Sequence, residues 1–420
     1  MTNLQLAIQF FLQLGIILVF CRIVGAIAAR FGQPQVVAEM IAGVCLGPSL
    51  LGLFWPDAGE ALFPKDSMKV LFPVSQLGLA LYMFIVGLEF RVDIVRKRFG
   101  SSVAVSLAGM AAPFLLGAGL GWAFHEHTSL FPEKTSLQNA MIFMGASMCI
   151  TAFPMLARII HFKGLAGTTM GTVAIGAGAI DDAAAWGMLA VVLASFNGDF
   201  SHAVLSIGGG IGYVALAHLV IRPILSRYAA GIEKRGSLSD GEYALFLALM
   251  CLGSWWTDYI ELHAVFGAFV MGSAMPRGVV NKTLIDRTQP LAVALILPLF
   301  FTYSGLNTRL GLLNSGYLWL LCGAVLAAAI LGKGVACWAA ARASGISNKE
   351  AMGIGVLMNA RGLMELIIIN IGLQRGVISA EIFAMLAIMA VITTLMASPI
   401  FERLVGTGTF KGEPEPGTEI

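Results

Sequence analysis

The stretch TTMGTVAIGAGAIDDAAAWGMLAVVLAS, residues 168–195, carries two consecutive carboxylates, Asp181 and Asp182, in the middle of an apolar run long enough to cross a bilayer. An ionised carboxylate at mid-membrane costs about 2.5–3.5 kcal/mol on insertion scales. Two neighbours also repel each other. A chain that keeps both uses them to bind something positive.

The rest of the chain supports a membrane setting. Of its 420 residues, 58% are hydrophobic and only 12% are charged, where a soluble domain carries about 25% charge. Mean hydropathy is +0.84, and 49 glycines suit tightly packed membrane helices. The expected class is an all-α polytopic membrane protein with the lipid bilayer as its surroundings. A net charge of +2 gives no basis for nucleic-acid binding. Cys21, Cys45, Cys149, Cys251, Cys322 and Cys337 all lie in apolar segments without metal-type spacing, and read as packing residues. The first cation is Arg22, so the N-terminus reads as a first span and not as a cleaved signal.

Scanning for apolar stretches predicts about thirteen spans. They cover approximately 5–29, 36–54, 68–90, 102–124, 138–158, 168–195, 203–222, 241–257, 262–276, 290–306, 316–341, 349–371 and 381–401. One set of alternate loops holds Arg30, Arg91, Arg96, Lys97, Arg98, Arg158, Lys163, Arg222, Arg227, Lys234, Arg235, Arg277, Lys282, Arg287, Arg342, Lys349, Arg403 and Lys411. The other holds only Lys65, Lys69, Lys134, Arg309 and Arg375. The positive-inside rule makes the first set cytoplasmic, with the N-terminus outside and the C-terminus inside. Residues 404–420, rich in Gly, Pro and Glu, are expected to be a short disordered tail with no appended domain.

An internal repeat is visible. LYMFIVGLEFRVDI and LFFTYSGLNTRLGL share Gly-Leu-x-x-Arg, at Gly87, Leu88, Arg91 and at Gly305, Leu306, Arg309. The preceding spans share a pattern of Val and small residues, VVAEMIAG against VFGAFVMG. The matched segments lie seven spans apart, and an odd offset means opposite orientation. Inverted repeats of this kind are built into many secondary transporters, with the binding site near interrupted helices at the midplane. Two such helices are predicted, also seven spans apart. In MIFMGASMCITAFPMLARII, Ser147, Thr151 and Pro154 break the apolar run; in AMGIGVLMNARGLMELIII, Asn359, Arg361, Gly362 and Glu365 do so. Broken backbone at membrane depth is tolerated only where it is buried or lines a cavity.

Ionisable groups at depth come from four spans: Asp181 and Asp182, Lys333, Arg361 with Glu365, and Glu39. Arg361 and Glu365 are spaced i, i+4 and can pair, the plain reading being a brace for the broken helix. Lys333, in AAAILGKGVACW, needs an anion, and one of the two aspartates is the nearest logical partner. Consecutive helical residues point about 100° apart, so one aspartate can face Lys333 while the other faces a water-filled cavity. Spacing leaves open which does which. For Glu39 two readings stand, lining of an access path and simple polar packing. Glu89 reads as interfacial, His125 and His127 as loop or interface residues, and His218 as a packing histidine.

Protons and a small cation would compete for the same carboxylate oxygens, and competition at one alternating-access site yields exchange. Thr151, Ser147 and carbonyls of the broken helix could complete an oxygen shell, which suits alkali cations better than soft metals. No cofactor, no other metal and no enzymatic activity are expected.

These segments resemble a known family. GQPQVVAEMIAGVCLGPSLLG (32–52), LYMFIVGLEF (81–90), ITAFPMLARII (150–160), AIDDAAAW (179–186), LGKGVACW (331–338) and MNARGLMELIIINIGL (358–373) are similar to monovalent cation:proton antiporters of the sodium/hydrogen exchanger superfamily. The branch includes bacterial sodium/proton and glutathione-gated potassium/proton antiporters. The resemblance implies two crossed discontinuous helices, elevator-like movement of a core (about 68–195 and 290–403) and a homodimer formed through scaffold helices (about 5–54 and 203–276). It implies that Asp182 is the ion and proton site and that Asp181 pairs with Lys333, as in electrogenic members. The gated potassium members carry Gln-Asp and a cytosolic regulatory domain, whereas Arg361 and Glu365 resemble potassium-type and plant members.

The expected function is therefore exchange of Na⁺ or K⁺ for H⁺ across the inner or plasma membrane. A sodium-coupled organic-anion symporter of similar architecture is the alternative, although an Asp-Asp pair beside an anion argues against it. An intramembrane aspartyl protease would need its aspartates on facing helices; here both lie on one.

Overall fold

The computed structural model describes residues 2–31, 33, 35–90, 98–165, 168–197, 200–260, 262–306 and 313–406. The described residues form helices and no strands. Among them, eight helices are long and apolar enough to cross a membrane. Each predicted span lies on a helix or on helices laid end to end, from Asn3–Ala29 to Ala380–Val405. Arg91, Arg309 and the tail from residue 407 lie outside the described residues.

Two cationic connections expected as loops are helical. Phe200–Leu216 runs through a π-helical turn, Ala217–Ile221, into Arg222–Arg235. Val279–Leu291 runs through a second π turn, Ala292–Ile296, into Leu297–Leu306. A hydropathy scan registers the loss of apolarity at Arg222 and overlooks the helix that continues. Each π turn ends two residues before a proline, Pro223 or Pro298. Proline has no N–H and its ring crowds the preceding turn, which relaxes the i→i−4 ladder at that point.

The chain divides into two compact units. The first comprises Met1–Arg22, Ala42–Phe90 and Leu189–Asn307; the second comprises Ile23–Ile41, Arg91–Met188 and Thr308–Ile420. In this division segments 68–90, 189–195 and 290–306 belong to the first unit and 23–41 to the second.

Glycine contacts explain that placement. A Cβ on Gly272 would lie 2.2 Å from the Phe84 carbonyl oxygen, and one on Gly87 would lie 2.3 Å from that of Phe269. Ala264–Ala274 therefore presses backbone to backbone on Lys65–Glu89. A Cβ on Gly43 would lie 2.3 Å from the Phe301 carbonyl oxygen, and one on Gly305 would lie 2.0 Å from the Gly43 carbonyl carbon. Gln35–Leu46 thus meets Leu297–Leu306 in the same manner. Gly43 and Gly272 hold matching places in the repeat, as do Gly305 and Gly87. Each copy's small-residue helix packs on the other copy's Gly-Leu segment.

The second unit contains the two interrupted helices. The first breaks after Leu137–Cys149, is extended at Ile150 (φ −77°, ψ 139°), and resumes as Phe153–Phe162. The second breaks after Asn348–Leu357 and resumes as Leu363–Gln374. The breaks cross: the Ala152 N–H donates to the Ala360 carbonyl at 3.1 Å. Thr394, on Ala380–Val405, holds the second break from the side. It accepts from the Arg361 N–H at 3.0 Å, and its hydroxyl is 2.8 Å from the Arg361 carbonyl. Close packing surrounds the crossing. A Cβ on Gly117 would come within 2.7 Å of the Met144 carbonyl oxygen, and one on Gly355 within 2.5 Å of that of Gly334.

Candidate ion-binding site

Asp181 and Asp182 lie on Thr169–Asn197 and are both buried, Asp181 at 0% and Asp182 at 5% exposure. Their surroundings differ. Asp181 Oδ1 accepts from the Ser106 hydroxyl at 2.6 Å, and Oδ2 accepts from the Thr151 hydroxyl at 2.5 Å. Lys333 Nζ stands 3.2 Å from the same Oδ2, with both side chains fully buried. Three donors, from two helices and the first break, thus fill Asp181. Asp182 receives the Phe153 backbone N–H, one of the free donors at the start of the second half-helix. Among the described residues its Oδ1 has no partner.

The cations serve the half-helix on the other side of the break. Lys333 Nζ also donates to the Cys149 carbonyl. Arg361 Nη2 donates to the Met148 carbonyl at 2.6 Å, and Nη1 lies 3.5 Å from that of Ser147. Three consecutive carbonyls at the C-terminus of Leu137–Cys149 therefore meet positive charge, the sign that this end of a helix favours. Arg361 Nη1 is 3.6 Å from Glu365 Oε2. Counting formal charge, Asp181, Asp182 and Glu365 contribute three carboxylates against Lys333 and Arg361. One negative charge is left uncompensated within this set.

The expected pairs Asp181–Lys333 and Arg361–Glu365 are both formed. Thr151, expected with Ser147 to complete an oxygen shell, donates its hydroxyl to Asp181 and lies 3.4 Å from the Met358 carbonyl. Ser147 is buried, with its hydroxyl unpartnered and its carbonyl facing Arg361. Glu39 is buried on Gln35–Leu46, within the segment assigned to the same unit. His218 has both ring nitrogens engaged, with the Val214 carbonyl and Ser273, as a packing histidine would. Cys21, Cys149, Cys322 and Cys337 are buried, whereas Cys251 is exposed on its apolar helix and Cys45 is half-buried. Among the described residues no group of His, Cys, Asp and Glu has a metal-binding arrangement. Sequence reasoning missed Ser106, Thr394 and the Phe153 N–H. A serine or threonine within an apolar span carries no mark of what it faces.

Residues 15–406 match the model of the sodium/hydrogen exchanger transmembrane family. The chain is 39% identical to the Na(+)/H(+) antiporter NhaS4 of Synechocystis sp. over 391 residues, covering 93% of this chain and 95% of that protein. It is 33% identical to Cation/H(+) antiporter 17 of Arabidopsis thaliana, covering 93% of this chain and 47% of the plant protein. The chain thus spans nearly all of the first relative and about half of the second. Its fold is similar to that of the sodium proton antiporter MjNhaP1 from Methanocaldococcus jannaschii, with a TM-score of 0.64, 15% identity, and 96% and 98% of the two chains covered. With crossed broken helices around a buried acidic pair, and a family match running almost end to end, this chain belongs to the sodium/hydrogen exchanger family.

Proposed function

We propose that the protein is a secondary active antiporter that exchanges Na⁺ or K⁺ for H⁺ by alternating access. Cation and proton compete for Asp182. The observation that carries this reading is the contrast between the neighbouring aspartates. Asp181 has both oxygens occupied by fixed donors, while Asp182 keeps one buried oxygen without a partner among the described residues. A carboxylate in that state gains from any small cation that reaches it. Asp181 with Lys333 forms a neighbouring pair that modulates coupling, and Arg361 with Glu365 compensates charge at the second break. Ser147 and Thr151 help complete the oxygen shell of the ion, and Glu39 lines its access path. The chain resides in the inner or plasma membrane as a homodimer, N-terminus outside and C-terminus cytoplasmic. The names of its relatives as Na(+)/H(+) and cation/H(+) antiporters favour this reading over organic-anion symport.

The test is proton movement in everted vesicles from a host lacking its own antiporters. Na⁺ and then K⁺ are added to a respiration-generated pH gradient. The gradient should collapse with the transported cation and persist in Asp182→Asn protein inserted at the native level. Exchange retained by that variant would overturn the assignment.

A further inference from the structure

Glu365 lies in the first turn of Leu363–Gln374 and is 1% exposed. Among the described residues neither of its oxygens has a hydrogen-bond donor within 3.5 Å. Arg361 offers only an ionic contact at 3.6 Å, beyond hydrogen-bonding reach, because its Nη groups face the Ser147 and Met148 carbonyls. Among the described residues the Arg361 Nε is itself without a partner. An ionised carboxylate with no donor to either oxygen is costly when buried, and the half-helix start and Arg361 relieve that cost only in part.

The repeat gives this position its meaning. Asp182 receives the first backbone N–H of Phe153–Phe162, the resumed half of the first broken helix. Glu365 occupies the first turn of the resumed half of the second. Each half-helix start therefore has one buried carboxylate with an unfilled oxygen. We propose that Glu365 is a second proton-binding carboxylate, which takes up and releases a proton during the exchange assigned to Asp182. A proton suits the position better than an alkali ion. It needs a single oxygen, whereas an alkali ion needs several and would stand beside the Arg361 guanidinium. Among the described residues the charged groups that act on Glu365 are Arg361 on its own segment and Lys333 from Gly316–Ala343. Leu137–Cys149 contributes no charged residue, and Ala380–Val405 carries its charges only near its ends, at Glu381, Glu402 and Arg403.

The role of Glu365 extends the proposed exchange, and its test does not depend on transport. Infrared difference spectra of the purified full-length chain, recorded across pH in the Asp182→Asn background, report protonated carboxyl groups directly. A titrating carboxylic C=O band should persist in D182N and be lost in D182N/E365Q. With Asp182 native, E365Q should retain exchange with an altered pH profile, and E365D should restore the native profile. Identical spectra for D182N and D182N/E365Q would overturn the proposal, as would an E365Q profile that superimposes on the native one. If E365Q fails to insert, D182N/E365D decides: a band displaced from its D182N frequency supports the assignment, and an unmoved band refutes it. If the native protein exchanged no alkali cation, the antiport reading would fail while the spectra would still report on Glu365.

Discussion

Lys333 donates at once to Asp181 and to the carbonyl of Cys149, the last residue of the first half-helix. One ammonium therefore compensates a side-chain charge and a helix end. Lys333→Ala removes both functions and leaves Asp181 buried with hydroxyl donors alone. Breaking a buried pair from one side costs about 3–5 kcal/mol. The expected outcome is a marked loss of thermal stability in detergent together with a changed pH dependence of exchange. An unchanged pH profile would reduce Lys333 to a structural prop.

Ser106 and Ser102 lie one turn apart on Phe99–His127, and both are fully buried. Only Ser106 reaches a carboxylate; Ser102 reaches the Val173 carbonyl at 3.4 Å. Ser106→Ala should cost about 1.5–3 kcal/mol as a lost bond to a charged group, against about 0.5 kcal/mol for Ser102→Ala. Thermal unfolding of the two variants side by side checks the difference. Equal losses would show that the Ser106–Asp181 bond adds nothing.

Thr394 and Thr393 are adjacent, yet Thr393 bonds only carbonyls of its own helix, Met389 and Ala390. Thr394→Val deprives the Arg361 N–H and carbonyl of their side-chain partner inside the protein. The expected cost is about 1–3 kcal/mol, against about 1 kcal/mol or less for Thr393→Val. Exchange rate measured alongside unfolding should fall only in the Thr394 variant, because only it loosens the crossing.

Gly272 and Gly119 both lie in helices, but a Cβ on Gly272 meets backbone at 2.2 Å while one on Gly119 has nothing within 4 Å. Gly272→Ala should destabilise by about 1–3 kcal/mol through overpacking. Gly119→Ala should be neutral or stabilising by up to about 1 kcal/mol through helix propensity. Melting temperatures of the two variants decide the matter.

Much of the site could be read from residue type and depth. A lone lysine in LGKGVACW had to find an anion, and Asp181 supplies it. Pro154 and the Asn-Ala-Arg-Gly run marked the two breaks, because proline lacks an N–H and a polar run at that depth disrupts an apolar helix. Backbone partners were invisible: nothing in the side chains of Cys149, Met148 or Ser147 announces that their carbonyls will meet Lys333 and Arg361. Ser106 was hidden for a different reason. Ser101, Ser102 and Ser106 look alike until the facing helix is in place. The helix Arg222–Arg235 went unread because polarity and helicity are separate properties, and the scan measured only the first.

The swapped glycine contacts carry a consequence for how such a chain comes to exist. Gly43 finds its cover on Phe301 and Gly305, and Gly272 finds its cover on Phe84 and Gly87. Neither half of the sequence closes its own packing, so a fragment cut near residue 200 would expose a bare backbone seam. The N-terminal fragment would leave Gly43 and Gly87 bare, and the C-terminal one Gly272 and Gly305. Segments from both sides of that cut must therefore meet before either seam is covered.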